Sequence, residues 1–183
     1  MLIVAGIARS GLSLTMQILH AGGYPCEGEP PAFEPHLGGI PWERCGDRAV
    51  KHVDTQLNLP PGGPYDVIRL RRNLQQQARS FTKWAAALFR GRAIPISRII
   101  ASFRRDYAVI DDWAVNHRLL VLDFENLITD PKGSAFAIRN WTGKDLDVDR
   151  MAACVVKRSP NCYPGLLELS LIEAADRLRE VRD

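Results

Sequence analysis

No run of apolar residues in this chain approaches the roughly 20 that a membrane-crossing helix needs. The opening Met1-Leu2-Ile3-Val4-Ala5-Gly6 has no basic flank, and its apolar stretch is short for a secretion signal. The expected location is therefore the cytoplasm, with no membrane partner. Cysteine is sparse, at 26, 45, 154 and 162, with no Cys-x-x-Cys pair. That argues against a disulfide scaffold or a zinc site and for reduced thiols. His20, His36 and His117 share no metal-ligand spacing, so no metal is expected. Lysine is scarce among the 24 basic residues, the formal charge is only +3, and no concentrated basic stripe stands out. Nucleic acid is accordingly not an expected partner. Repeats, low-complexity tracts and long linkers are also missing. What remains is ordinary globular composition, 46% hydrophobic and 25% charged over 183 residues. This is enough for one domain, residues 1–183, with a real core.

The apolar runs are short and alternate with helical periodicity. Leu2–Ala5 is too short for a helix and reads as a buried strand. Ala49–Val53, Asp66–Leu70 and Leu119–Phe124 read as three more. Helices are expected over Ser13–Ala21, from about Leu74 to Phe89, over Ser97–His117, from Asp130-Pro131 to about Trp141, over Asp147–Val156 and over Gly165–Val181. Gly22-Gly23 and Gly91–Pro95 read as breaks. Tyr24–Arg48 is rich in proline and glycine and reads as a long irregular loop. Strands alternating with helices predict an α/β fold in three layers, with a central parallel sheet of four or five strands flanked by helices. Ligands in such sheets bind beyond the carboxyl ends of the strands.

The most informative stretch is Gly6-Ile7-Ala8-Arg9-Ser10-Gly11-Leu12-Ser13, between the first strand and the first helix. It has the G-x-x-x-x-G spacing of a P-loop, with a hydroxyl residue two places after the second glycine, so the expected fold is of the three-layer, P-loop NTPase-like kind. Glycines let the backbone fold into an amide-lined nest, and the following helix adds its positive end. Both favour a phosphate or sulfate group. Leu12 stands where a nucleoside-triphosphatase carries its lysine, while Arg9 supplies positive charge from inside the loop. A second basic signal is Arg71-Arg72, closing the third strand, with Ser80 eight residues after Arg72 in the second turn of the next helix. An arginine and a hydroxyl so arranged suit a phosphate monoester.

Together these stretches resemble the sulfotransferase family that uses 3'-phosphoadenosine-5'-phosphosulfate. The family's first signature, P-[KR]-S-G-[TS]-[ST], is similar to Ala8-Arg9-Ser10-Gly11-Leu12-Ser13, with Ala8 for proline and Leu12 for a hydroxyl residue. The resemblance implies that Arg9, Ser10, Gly11, Leu12 (through its amide) and Ser13 hold the 5'-phosphosulfate. It implies that Arg72 and Ser80 hold the 3'-phosphate. Gly22-Gly23-Tyr24-Pro25, Ala49-Val50-Lys51, and Leu122–Leu127 followed by Asp130-Pro131 also resemble bacterial members, so the likeness runs over about residues 1 to 165. The chain is shorter than most members and lacks their G-x-x-G-x-x-K stretch, for which Lys157-Arg158 is the available substitute. Arg69 interrupts a strand that should be apolar on both faces, so it is expected at a sheet edge or pointing into the cleft.

The implied reaction is transfer of a sulfuryl group to a hydroxyl or amine on a small-molecule or glycan acceptor. Acceptor choice would rest in the Tyr24–Arg48 loop and the helices around 81–117. Arg9 and the loop amides would stabilise the leaving phosphate and the sulfuryl oxygens. Lys51 matches a lysine of cytosolic members, but the position of their catalytic histidine, two residues on, is Val53. Candidate bases are His52, whose ordinary pKa suits the role, Glu43, Asp54, and Glu27, Glu29 or Glu34 in the long loop. Strand alternation puts His52 on the face opposite Lys51 unless the strand ends there. Two other readings stay open. One is a P-loop nucleotide kinase or nucleoside-triphosphatase, supported by the Leu119–Asp123 strand with its terminal Asp. The other is a non-catalytic nucleotide-binding homologue.

Overall fold

The computed structural model describes residues 1–34, 39–88, 94–156, 159 and 161–162, without the side chains of residues 87 and 88. His36, Lys157, Arg158, the helix expected over 165–181 and most of the 91–95 break lie outside the described residues.

Four strands form one sheet: β1 (Leu2–Gly6), β2 (Ala49–Val53), β3 (Asp66–Arg71) and β4 (Arg118–Asp123). All pairings are parallel and the order is β2-β1-β3-β4. The long helices are α1 (Leu12–Ala21), α2 (Leu74–Leu88), α3 (Ile96–Ala114) and α5 (Pro131–Thr142); α4 (Phe124–Thr129) and α6 (Val148–Ala153) are short. The described chain is thus a mixed α/β fold, a four-stranded parallel sheet flanked by helices.

Alternation along the strands divides the core. Leu2 and Val4 of β1, with Ile68 and Leu70 of β3, pack on Met16 and Leu19 of α1 and on Leu127 and Ile138 from α4 and α5. Ile3, Ala5 and Val67 face the other way, toward Trp113 of α3. Beside them Ile7 joins Ala78 of α2 and Phe103, Tyr107 and Ile110 of α3. Each such side chain, taken out of water, contributes roughly 1.5–3 kcal/mol. All five residues of β1 are buried, as a central parallel strand requires.

Local chemistry sets several boundaries. The Asp130 carboxylate accepts the Gly133 amide and Pro131 opens α5, a capped start with proline at the first helical position. Asp147 caps α6 through the Arg150 amide. At Gly22, which closes α1, a Cβ would lie 2.6 Å from Met151 Cγ, so the residue lets α6 approach α1 closely. Three boundaries differ from the sequence reading. α3 stops at Ala114, and Asn116 and His117 form a turn back to Trp113 and Ala114, because β4 must begin at Arg118 opposite Asp66. Phe124 does not prolong β4 but opens α4. α6 ends at Ala153. Within the segment read as a loop, residues 42–44 make a 3-10 turn, and Pro25–Glu27 run beside β2 through a bridge at Cys26. No helix among the described residues is long and apolar enough to cross a membrane.

Candidate functional site at the carboxyl ends of β1 and β3

The chain leaves β1 for β2 on one side and reaches β3 on the other, so the sheet's topology switches between β1 and β3. A crevice outside the carboxyl ends of the strands is expected at such a point. The Gly6–Ser13 loop emerges there from β1, and Arg72-Asn73 emerge beside it from β3.

The loop is held in a fixed shape from several sides. The Gly6 amide donates to Thr55 Oγ1 (3.1 Å) and the Ala8 amide to Asp54 Oδ1 (2.9 Å). The Ala8 carbonyl accepts Gln77 Nε2 (3.0 Å), and the Arg9 carbonyl accepts Arg72 Nη1 (2.9 Å). Arg9 has φ 66° and Gly11 φ 108°, both in the left-handed region, which turns the chain sharply into α1. At Gly11 a Cβ would also meet the Phe124 ring at 2.7 Å. Gly11 gives α1 no side-chain cap, so the helix presents its first-turn amides at the crevice. Amides fixed in this way need no reorganisation to meet a negative charge.

Basic side chains converge on this loop. Arg9 Nε donates to Ser80 Oγ at 3.1 Å. Arg72, besides holding the Arg9 carbonyl, lies with its guanidinium 4.1 Å from the Phe124 ring centroid. Asn73 caps α2, accepting the amides of Gln75 and Gln76, while its own amide donates to Glu125 Oε1 (3.0 Å). That cap aims α2 so that Ser80, in its second turn, meets Arg9. Gln77 and Tyr107 complete the support: Tyr107 donates to Gln77 Oε1 at 2.9 Å, and burial pushes its phenol up to about 12. Sequence reasoning missed this pair, although Gln77 stands three residues before Ser80 on the same helical face.

Of the residues expected to hold an anion, Arg9, Gly11, Ser13, Arg72 and Ser80 are brought together here. Leu12 is buried in the core and offers only its backbone. Ser10 is turned inward, a correction to its expected role. Its amide donates to the Ile7 carbonyl, and its hydroxyl lies where a Cβ on Gly6 would meet it at 2.9 Å.

The candidate bases separate clearly. His52 faces away from Lys51, packed edge-on to the Trp42 ring with centroids 5.3 Å apart. Burial pushes its pKa down to about 4. It is a neutral packing group on the α3 face, which corrects its assignment as a base. Glu43 lines a cavity of about 670 Å³ with Trp42, Pro61, Gly62 and Tyr65. The cavity runs from Tyr65, just before β3, to Trp42, which packs on His52, and none of these lining residues belongs to the Gly6–Ser13 loop. Asp54 is committed to the Ala8 amide.

Glu34 does reach the site. Phe33 is buried against the His20 ring, and Gln17 Nε2 donates to the Pro31 carbonyl (2.7 Å), which together hold the long loop against α1. The next residue, Glu34, then meets Lys51, its Oε1 2.6 Å from Nζ. Lys51 Nζ also donates to the Ala32 carbonyl (2.5 Å) and to Ser13 Oγ (3.3 Å) at the start of α1.

Two further residues differ from expectation. Arg69 is neither at an edge nor in the cleft: β3 is interior, and the side chain is buried under α3, 2.7 Å from Asp111 and 4.4 Å from the Tyr107 ring centroid. Asp123 at the end of β4 is half-exposed and paired with Arg71 (3.1 Å). Among the described residues no group of three or more His, Cys, Asp or Glu is placed to hold a metal ion. Compared with known proteins, the chain is matched by no family model and by no curated sequence.

Proposed function

We propose that the crevice binds 3'-phosphoadenosine-5'-phosphosulfate and that the protein is a sulfotransferase acting on a hydroxyl or amine acceptor. The observation that carries this reading is the convergence of Arg9, Arg72 and Ser80 on one glycine-bounded loop. A triphosphate site would ask for a lysine where Leu12 is buried, and for an acidic side chain open to magnesium where Asp123 is already paired with Arg71. In this reading the loop amides hold the 5'-phosphosulfate, and Arg72 and Ser80, which both meet the loop at Arg9, hold the 3'-phosphate.

In this reading the acceptor oxygen or nitrogen attacks sulfur. The new bond to sulfur forms as the bond from sulfur to the bridging phosphate oxygen breaks. The electron pair leaves with the 5'-phosphate of adenosine 3',5'-bisphosphate, whose added charge is met by the loop amides and Arg9. The acceptor's proton passes to the Glu34 carboxylate, which is open to water and sits beside the start of α1 through Lys51, whereas the Asp54 carboxylate is held by the Ala8 amide. The test is calorimetric titration with adenosine 3',5'-bisphosphate beside ATP with magnesium. Micromolar bisphosphate binding and weak ATP binding are expected. Magnesium-dependent ATP binding without bisphosphate binding would overturn the proposal in favour of a kinase.

A further inference from the structure

The Lys51 ammonium is about 2% exposed and has three N–H donors, and three acceptors surround it: Ser13 Oγ, the Ala32 carbonyl and Glu34 Oε1. It is fully subscribed. A buried ammonium needs a counter-charge, and among these acceptors only Glu34 carries one. The two partners differ in surroundings, however: the Glu34 side chain is 67% exposed. Its carboxylate can turn into water at little cost, while Lys51 cannot. Lys51 is also joined to the first turn of α1 through Ser13, where an anion on the loop amides would lie.

We propose that Glu34 is an internal anion that occupies Lys51 until a donor arrives, so that donor binding and release of the Glu34 carboxylate are one exchange. This deepens the reading of the crevice as a phosphosulfate site and rests on it. An anion on the loop offers Lys51 a second counter-charge and repels Glu34. Lys51 turns to the ligand, and the carboxylate is set free at the moment an acceptor needs a base. Donor affinity is lowered by the contact that must first be broken, and without donor the carboxylate is held as an ion pair.

The test is a double-mutant cycle on the full chain, with adenosine 3',5'-bisphosphate as the calorimetric probe. Glu34→Gln keeps the shape and removes the charge; bisphosphate should bind about tenfold tighter, the size of one charge-assisted hydrogen bond. In a Lys51→Met background the same change should give less than about a threefold gain, because no ammonium remains to be exchanged. Unchanged or weaker binding in Glu34→Gln overturns the proposal, as does an equal gain in both backgrounds, which would mean plain repulsion. Glu34→Gln, altered at an exposed side chain, decides the first point even if Lys51→Met does not fold. Failure of the wild-type protein to bind bisphosphate would instead sink the phosphosulfate reading itself, and the exchange with it.

Discussion

Lys51 and Arg69 are both about 2% exposed cations on one sheet, yet they are treated in opposite ways. Lys51, on the α1 face, satisfies every donor it has and touches the first turn of α1. Arg69, on the α3 face, has one carboxylate and one aromatic ring, and its Nε and Nη1 make no hydrogen bond. Around Lys51 the partners are a loop carbonyl, a hydroxyl and an exposed carboxylate, groups that can be exchanged. Around Arg69 they are packed helix and sheet. Burial alone therefore does not mark a functional cation. In the proposed reading, what marks one is a set of partners that a ligand can replace, next to the first-turn amides of a helix. The same contrast separates His52, sealed on the α3 face, from Glu34, open to water on the other.

The sharpest way to break this contrast is through His52. Its pKa falls from 6.5 in an open chain to about 4 in the folded one, because burial disfavours the charged ring. Between those values the unfolded chain takes up the proton and the folded chain does not. Stability should therefore be complete above pH 6.5 and be lost as pH falls toward 4, by about 3 kcal/mol. Urea unfolding of wild type and His52→Phe at pH 7 and pH 5 checks this. An unchanged pH dependence in the variant would mean that the α3 face is not sealed. Next in size is Asp111→Ala, which strands the Arg69 guanidinium and should cost about 2 kcal/mol, less than a fully buried pair because Asp111 is half in water. Adding Arg69→Met should recover most of that loss. If the double variant is as unstable as the single one, Arg69 does more than neutralise a carboxylate. Smallest is Glu43→Gln, which should leave bisphosphate affinity within about twofold. A larger change would put the cavity at Trp42 and Tyr65 in contact with the crevice.

Much of the architecture could be read from local pattern. The four strands, the loop between β1 and α1, and the Asp130-Pro131 helix start are all signalled within a few residues of themselves. So was the meeting of Arg72 and Ser80 at the loop, since a strand end and the second turn of the next helix are held together by the α2 cap. Strand alternation separated Lys51 from His52, but not until α3 was placed could the face of His52 be identified as the packed one. Three features depended on distant partners. Glu34 reaches Lys51 only because Phe33 packs on His20 and Pro31 receives Gln17. Arg69 finds Asp111 on a helix that nothing around β3 announces. α4 was hidden because Phe124 continues the apolar run of β4, and only its contact at Gly11 shows why the chain turns there.

The central claim is that Arg72 and Ser80 form a 3'-phosphate site beside an anion-binding loop. It is tested most directly by comparing adenosine 3',5'-bisphosphate with adenosine 5'-monophosphate in calorimetry, on wild type and Arg72→Ala. The account predicts that wild type prefers the bisphosphate by about a hundredfold, the scale of two charge-assisted hydrogen bonds, and that Arg72→Ala abolishes most of the preference while still binding the monophosphate. Equal affinity for the two nucleotides in wild type, or a preference untouched by Arg72→Ala, would contradict it.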